Sequence, residues 1–287
     1  MQTRLGISCR AAVAFLCLLA TSCVRASADG EGQLLRFHHG QGDVASYDFS
    51  LAGRGLRDGK PITFFEKVKC RVAFQAESEG TQQVEVRFLS GTFDATSGDR
   101  HKSGAVTPMV TTRRISPTGE VTACEVISGE AVTVPFGEIS FSPDDVGFVL
   151  DLPAGPVGVG STWKADHRNP EEGRLPEAET ITYTLLGEAS FKGRPCAKIK
   201  AVSLTEFTGD TRASADEPAV RIRASIGDMT VFLFDYERGL VMSAESTQDL
   251  SFTTTVDDPG KGPVVKKDSL TFTGRSVLTG FVPRKAG

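Results

Sequence analysis

An antiparallel all-β protein is the fold class that the sequence predicts, and three observations carry the prediction. The dominant hydrophobic period along the chain is two, so each alternating stretch has one dry face and one wet face. The stretches are separated by short clusters of turn residues, the pattern of hairpins. The alternation is one-sided, whereas strands of a parallel sheet, buried on both faces, read as continuous apolar runs.

The elements follow in order. Tyr47, Phe49 and Leu51 alternate with Ser46, Asp48 and Ser50 in a first strand. From Lys67 to Glu77, Val68, Cys70, Val72, Phe74 and Ala76 alternate with polar residues; the turn Glu77-Ser78-Glu79-Gly80 leads to Val84, Val86 and Phe88. Together these predict a long hairpin. Ser116-Pro117-Thr118-Gly119 has proline where φ near −65° is wanted and glycine closing the turn; it joins strands at 109–115 and 120–127. Ser142-Pro143-Asp144-Asp145 offers an N-cap, a proline at the first helical position and acids in the first turn, so a short helix is expected at 142–149. Residues 152–163 are too rich in proline and glycine for a regular element. In the second half, strands at 179–190 and 195–207 flank 191–194, strands at 220–234 and 240–256 flank 235–239, and a last strand covers 267–278. Residues 166–178, 208–218 and 257–265 are expected as polar loops.

The two halves share one grammar, a long hairpin followed by a second hairpin with a tight polar turn. This predicts a diverged duplication, with two related β units in a sandwich or half-barrel. The expected units are residues 29–151 and 179–287, joined by a linker segment at 152–178.

The first 28 residues read as an export signal. Arg4 and Arg10 precede an apolar run from Ala11 to Val24, and Ala26-Ser27-Ala28 is a small-x-small cleavage site. The run is shorter than the ~20 residues that span a hydrocarbon core. An exported protein of the bacterial envelope is expected, periplasmic, cell-surface or secreted, with Asp29 as its first residue. Leu19-Ala20-Thr21-Ser22-Cys23 also resembles a lipobox, so Cys23 is a candidate lipidation site, and contact with a membrane is expected only if Cys23 is acylated.

The chain has 32 basic and 36 acidic side chains; residues 1–28 hold three of the basic ones (Arg4, Arg10, Arg25) and no acid, which leaves a net charge of −7. Such a charge gives no footprint for a phosphate backbone, so no nucleic acid partner is expected. Beyond the signal the cysteines are Cys70, Cys124 and Cys196. Cys70–Cys124 is the candidate disulfide, against the alternative of three separate small hydrophobes. No CxxC spacing suggests zinc or thioredoxin-type chemistry, and Asn169 precedes Pro170, so there is no glycosylation sequon.

At the linker, Leu152-Pro153-Ala154-Gly155-Pro156-Val157-Gly158-Val159-Gly160-Ser161-Thr162-Trp163 fits the pattern Leu-Pro-x-x-Pro-Val-x-Val-Gly-x-x-Trp. A hairpin follows, from Tyr183-Thr-Leu-Leu-Gly187 through Gly193-Arg-Pro-Cys196-Ala-Lys-Ile199. In these features the chain resembles a group of uncharacterised exported bacterial β proteins. The resemblance implies a secreted or lipid-anchored β protein and no catalytic residue.

Candidate chemistry is sparse. Ser161-Thr162-Trp163-Lys164 fits Ser-x-x-Lys, but that chemistry needs the serine at a helix start, and here it follows a proline- and glycine-rich segment. His38 and His39 precede Gly40 and are expected in a solvated turn; strand neighbours face opposite ways and do not share a metal. His101 lies in a polar loop and is expected exposed, and His167 beside Asp166 is a candidate acid–base pair without a nucleophile. Gly155, Gly158 and Gly160 precede no helix and so form no phosphate loop. Trp163 is expected to anchor the linker against a sheet. No cofactor is implied. The expected function is an exported non-catalytic binding or structural module, whose partner is a protein or an apolar small molecule. The alternatives are a carrier of an apolar ligand and a hydrolase with an unrecognised site.

Overall fold

The computed structural model of the chain describes residues 32–57, 59–78, 80–106, 108–128, 132–134, 137–139, 150–168, 178–211, 219–258 and 262–284. They form fourteen strands. The first wing holds β1 (Val44–Arg57), β2 (Lys60–Ser78), β3 (Thr81–Ser97), β4 (Arg100–Ala105), β5 (Val110–Ile115) and β6 (Val121–Ser128). A small separate hairpin is made by β7 (Val132–Val134) and β8 (Gly137–Ile139). The second wing holds β9 (Thr162–Arg168), β10 (Ala178–Phe191), β11 (Arg194–Thr211), β12 (Ala219–Asp235), β13 (Leu240–Asp258) and β14 (Gly262–Val282). The expected signal with Cys23 and the expected helix at 142–149 lie outside the described residues.

Twelve strands make one antiparallel sheet in the order β6-β5-β3-β2-β1-β14-β13-β12-β11-β10-β9, with β4 beside β5 on β3. β4 and β5 stand on a single ladder. Ser97 opposite Arg100 and Gln82 opposite Ile115 share one register, and Val106 donates to Gly91 O across the gap between them. The sheet is therefore an up-and-down meander whose first and last strands pair with each other, Val44 opposite Val282 through Leu56 opposite Ser269. Its free edges, β6 and β9, fall in mid-chain.

All-β was expected and is found, and of the two architectures the half-barrel is the observed one. The two expected units are two wings of one sheet, fused along β1 and β14. The linker 152–178 contains a strand, β9, that extends the sheet. Its sequence reads as a loop because an edge strand needs few apolar residues, here Trp163 and Ala165. Strands also run past their expected ends: β14 covers 262–282 where 267–278 was expected. Polar tips such as Lys266 and Lys267 are held by ladder bonds to Thr254 and Thr253.

Directly opposed residues share a face, so the registers define rows across the inner side of the sheet. One row runs Ile199, Phe232, Ala244, Ser276, Phe49, Val68, all buried. A second runs Ser203, Asp228, Gln248, Phe272, Gly53, Phe64. Gly53 is required here because a Cβ would lie 2.5 Å from the Phe272 ring, which covers the glycine instead. Two apolar clusters result, one centred on β1, β2 and β3 and one on β10, β11 and β12. The β12–β13 turn is organised by Asp235, fully buried, which accepts from the amides of Glu237 and Arg238 at 3.1 Å and from Arg194 Nε at 2.5 Å.

Candidate functional site

The sheet is not closed by strand pairing, yet its two ends meet at one rim. Leu152 N donates to Thr118 O in the β5–β6 turn at 2.6 Å. The preceding residue, Asp151, is bound from the other end of the sheet. Its Oδ2 accepts from Tyr183 Oη of β10 at 2.7 Å and lies 2.8 Å from His167 Nε2 of β9, while its carbonyl accepts from Trp163 Nε1 of β9 at 2.8 Å. The Trp163 and Tyr183 rings stack, with centroids 5.5 Å apart. The segment at 150–157 is thus a strap across the seam between β6 and β9. Residues 33–37 reinforce it: Gln33 and Val157 exchange backbone bonds, Phe37 N donates to Pro117 O, and Arg36 Nη1 donates to Pro153 O at 2.6 Å. Leu35, Leu150 and Leu152 are buried beneath it against Tyr183, Leu185 and Ile199. Gly119 is required in the turn below: its φ is +91°, and a Cβ would meet Leu150 O at 2.0 Å.

His39 lies in the same cap. It stacks on Phe74 with centroids 3.7 Å apart, and neither ring nitrogen has a hydrogen bond of good geometry. Burial, with His38 adding to it, lowers its pKa to about 4, outweighing the opposite pull of Asp43 and the Gly239 backbone. His38 is exposed, its ring nitrogens near Arg36 O and Glu237 O. The expected solvated turn holds for His38 and fails for His39, because consecutive residues point opposite ways and Phe74 offers a dry surface.

The other sequence candidates resolve as follows. His167 engages Asp151, not Asp166; Asp166 points to the opposite face of β9 and accepts from Thr180. His167 holds the strap through Asp151; among the described residues no serine, threonine or cysteine is hydrogen-bonded to it. Ser161 ends a turn and Lys164 lies on the extended backbone of β9, so the two cannot meet as on one helical turn. His101 is exposed and pairs with Asp94 at 2.7 Å. Trp163 does anchor the linker, through Asp151. Cys70 and Cys196 are free buried thiols, raised by burial to about 12 and about 11. The expected Cys70–Cys124 bridge is not formed. Cys70 is on β2 and Cys124 on β6, with β3 and β5 between them, which puts their backbones at least about 14 Å apart. Among the described residues no three His, Cys, Asp or Glu side chains converge as metal ligands would.

The opposite end of the half-barrel differs. Toward the tips of β11–β14 the inner face mixes apolar and polar side chains. Ile226, Leu270, Phe207, Phe252, Val220 and Val256 are only partly buried, Leu250, Ala224 and Ile222 are buried, and Asp268 and Lys266 stand opposite Phe252 and Thr254. Sequence reasoning missed the Asp151 cluster. A lone acid between Leu150 and Leu152 was the available signal for it.

No family model and no curated protein matches the chain. A lipovitellin structure described for its lipid–protein interactions is similar at TM-score 0.44 and 9% identity, over 87% of this chain. The chain spans about a quarter of that protein's length, 26%. A DUF1329 family protein from Desulfovibrio piger is similar at TM-score 0.19 and 12% identity, over 83% of this chain and 86% of that one. At these scores neither likeness carries a function across.

Proposed function

We propose that the protein is an exported, non-catalytic carrier of an apolar small molecule, which lies against the inner face of the half-barrel. The observation that carries this is the contrast between its two ends. One rim is strapped and capped by residues 33–43 and 150–161. The inner face at the other presents Ile226, Leu270, Phe207, Phe252, Val220 and Val256, apolar side chains that the protein itself covers only in part, interspersed with polar ones such as Asp268 and Lys266. Exposed apolar surface arranged in a concavity favours a ligand that removes it from water.

The test is titration with diphenylhexatriene, an uncharged hydrocarbon probe that fluoresces in apolar surroundings. The protein should bind it saturably. Ile226→Asp on the inner face should weaken binding, and Leu204→Asp on the outer face, where Leu204 is 69% exposed, should not. Absence of binding, or the reverse pattern in the variants, would overturn the reading. Organic extraction of protein purified from its own host should release a retained apolar molecule. Mass spectrometry of the same material should show Asp29 as the first residue; an acylated Cys23 would replace free export by lipid anchoring.

A further inference from the structure

We propose that residues 33–43 form a hinged flap that seals the capped rim at neutral pH and lifts away in acid, with His39 as its trigger. The device goes beyond the carrier reading and does not depend on it.

The flap is tied down by few bonds. β1 is laddered on both sides, to β2 and to β14, whereas residues 33–39 make only an isolated bridge, between Gln33 and Val157. Phe37 N donates to Pro117 O, and Gln82 Nε2 donates to His39 O at 3.0 Å. Side chains supply the rest. Leu35 is buried, the Phe37 ring meets Phe234 edge-on at 5.3 Å, and Arg36 donates to the carbonyls of Pro153 and Ala154 in the strap.

A hinge follows directly. Gly42 has a φ of +93°, a backbone position that glycine adopts without strain. Beyond it the chain is fixed. Buried Asp43 accepts from Gly40 N at 2.7 Å and from Arg284 N at 2.8 Å, and Phe74 N donates to Asp43 O. A swing about the glycines leaves β1 in the sheet.

His39 is the weak point of the flap's inner side. Its ring lies 3.7 Å from that of Phe74, and both ring nitrogens are buried without a hydrogen bond of good geometry. A phenyl ring would fill the same place with no polar atom left unmade, a cost of about 1–3 kcal/mol each. What the imidazole adds is a proton site. Burial keeps it neutral, with a pKa of about 4 against the ordinary 6.5.

Two charged groups act on the ring, His38 against its protonation and Asp43 for it. The β12–β13 turn brings Glu237, engaged by Arg194, and Arg238, which lies over the Phe281 ring. Arg284, beyond β14, donates to Gln41 O. β2 and β3 bring Phe74 and Gln82, and Arg113 of β5 shares the inward row of Phe74 two strands away. No carboxylate is hydrogen-bonded to the ring, so an imidazolium there lacks a partner.

Once lifted, the ring regains its ordinary pKa. Opening therefore takes up a proton; it becomes easier as pH falls below 6.5 and levels off near 4. At tenfold per pKa unit, the open fraction should rise about a hundredfold between about pH 7 and about pH 4.

The experiment is amide hydrogen exchange of the whole protein at these two pH values, each rate divided by the intrinsic rate of that amide. Amides of residues 33–39 should exchange faster than those of β12 and β13 at both pH values, and low urea should not change them, as befits local opening. Their protection should fall about a hundredfold in acid. His39→Phe, which keeps a ring on Phe74, should abolish that response. Exchange of 33–39 only at the rate of the core strands overturns the proposal, since that is global unfolding. Protection independent of pH overturns it as well, and neither outcome needs a variant. A His39→Phe chain that keeps the acid response removes His39 as the trigger.

Discussion

Acidification should destabilise this fold through one imidazole, His39. Its folded-state pKa of about 4 lies below the ordinary imidazole value of 6.5 because the ring is buried on Phe74. The unfolded chain therefore binds a proton that the folded chain refuses. Its contribution is fully present above pH 6.5, is lost progressively as pH falls from 6.5 toward 4, and is constant below. At roughly 1.4 kcal/mol per pKa unit the loss amounts to about 3 kcal/mol. Other groups titrate in the same window, so the assay compares the protein with His39→Phe, which keeps a ring on Phe74 and removes the proton site. Urea unfolding at about pH 7 and about pH 4 gives a stability difference between the two chains at each pH. That difference should move by about 3 kcal/mol in favour of the phenylalanine variant on acidification. A difference independent of pH would refute the assignment of a neutral buried imidazole.

Asp151→Asn weakens both side-chain bonds that hold the strap to β9 and β10. It should cost about 1–3 kcal/mol in urea unfolding and shift the emission of Trp163, the single tryptophan. Gly119→Ala places a Cβ into Leu150 O in a left-handed backbone position and should cost at least about 2 kcal/mol by the same measurement. Asp235→Ala removes the acceptor for two turn amides and Arg194, and should lower the unfolding midpoint and hasten amide exchange in residues 235–240.

Local features were legible because they are set by neighbours in sequence. Period two marks the buried sides of β1, β2 and β3, and the Ser116–Gly119 and Asp235–Gly239 turns carry their own chemistry. β9 was not legible, since an edge strand with two apolar inward residues looks like the polar loop beside it. The Cys70–Cys124 pairing failed for a related reason: shared membership of one half says nothing about the two strands inserted between them. His167 was singled out with the wrong partner, because alternation on a strand turns Asp166 away and brings in Asp151 from the strap.

The sequence by itself determined that this chain is an antiparallel β protein, where its hairpins turn, and which side of each strand is dry. Tertiary structure alone decided that β1 pairs with β14, so the seam falls in mid-chain, and that residues 150–157 close that seam at one rim. The physical reason is range. Alternation and turn chemistry act over a few residues. The β1–β14 ladder joins backbone groups more than two hundred residues apart, and the strap and the inner rows join groups tens of residues apart or more, brought together only when the sheet curls.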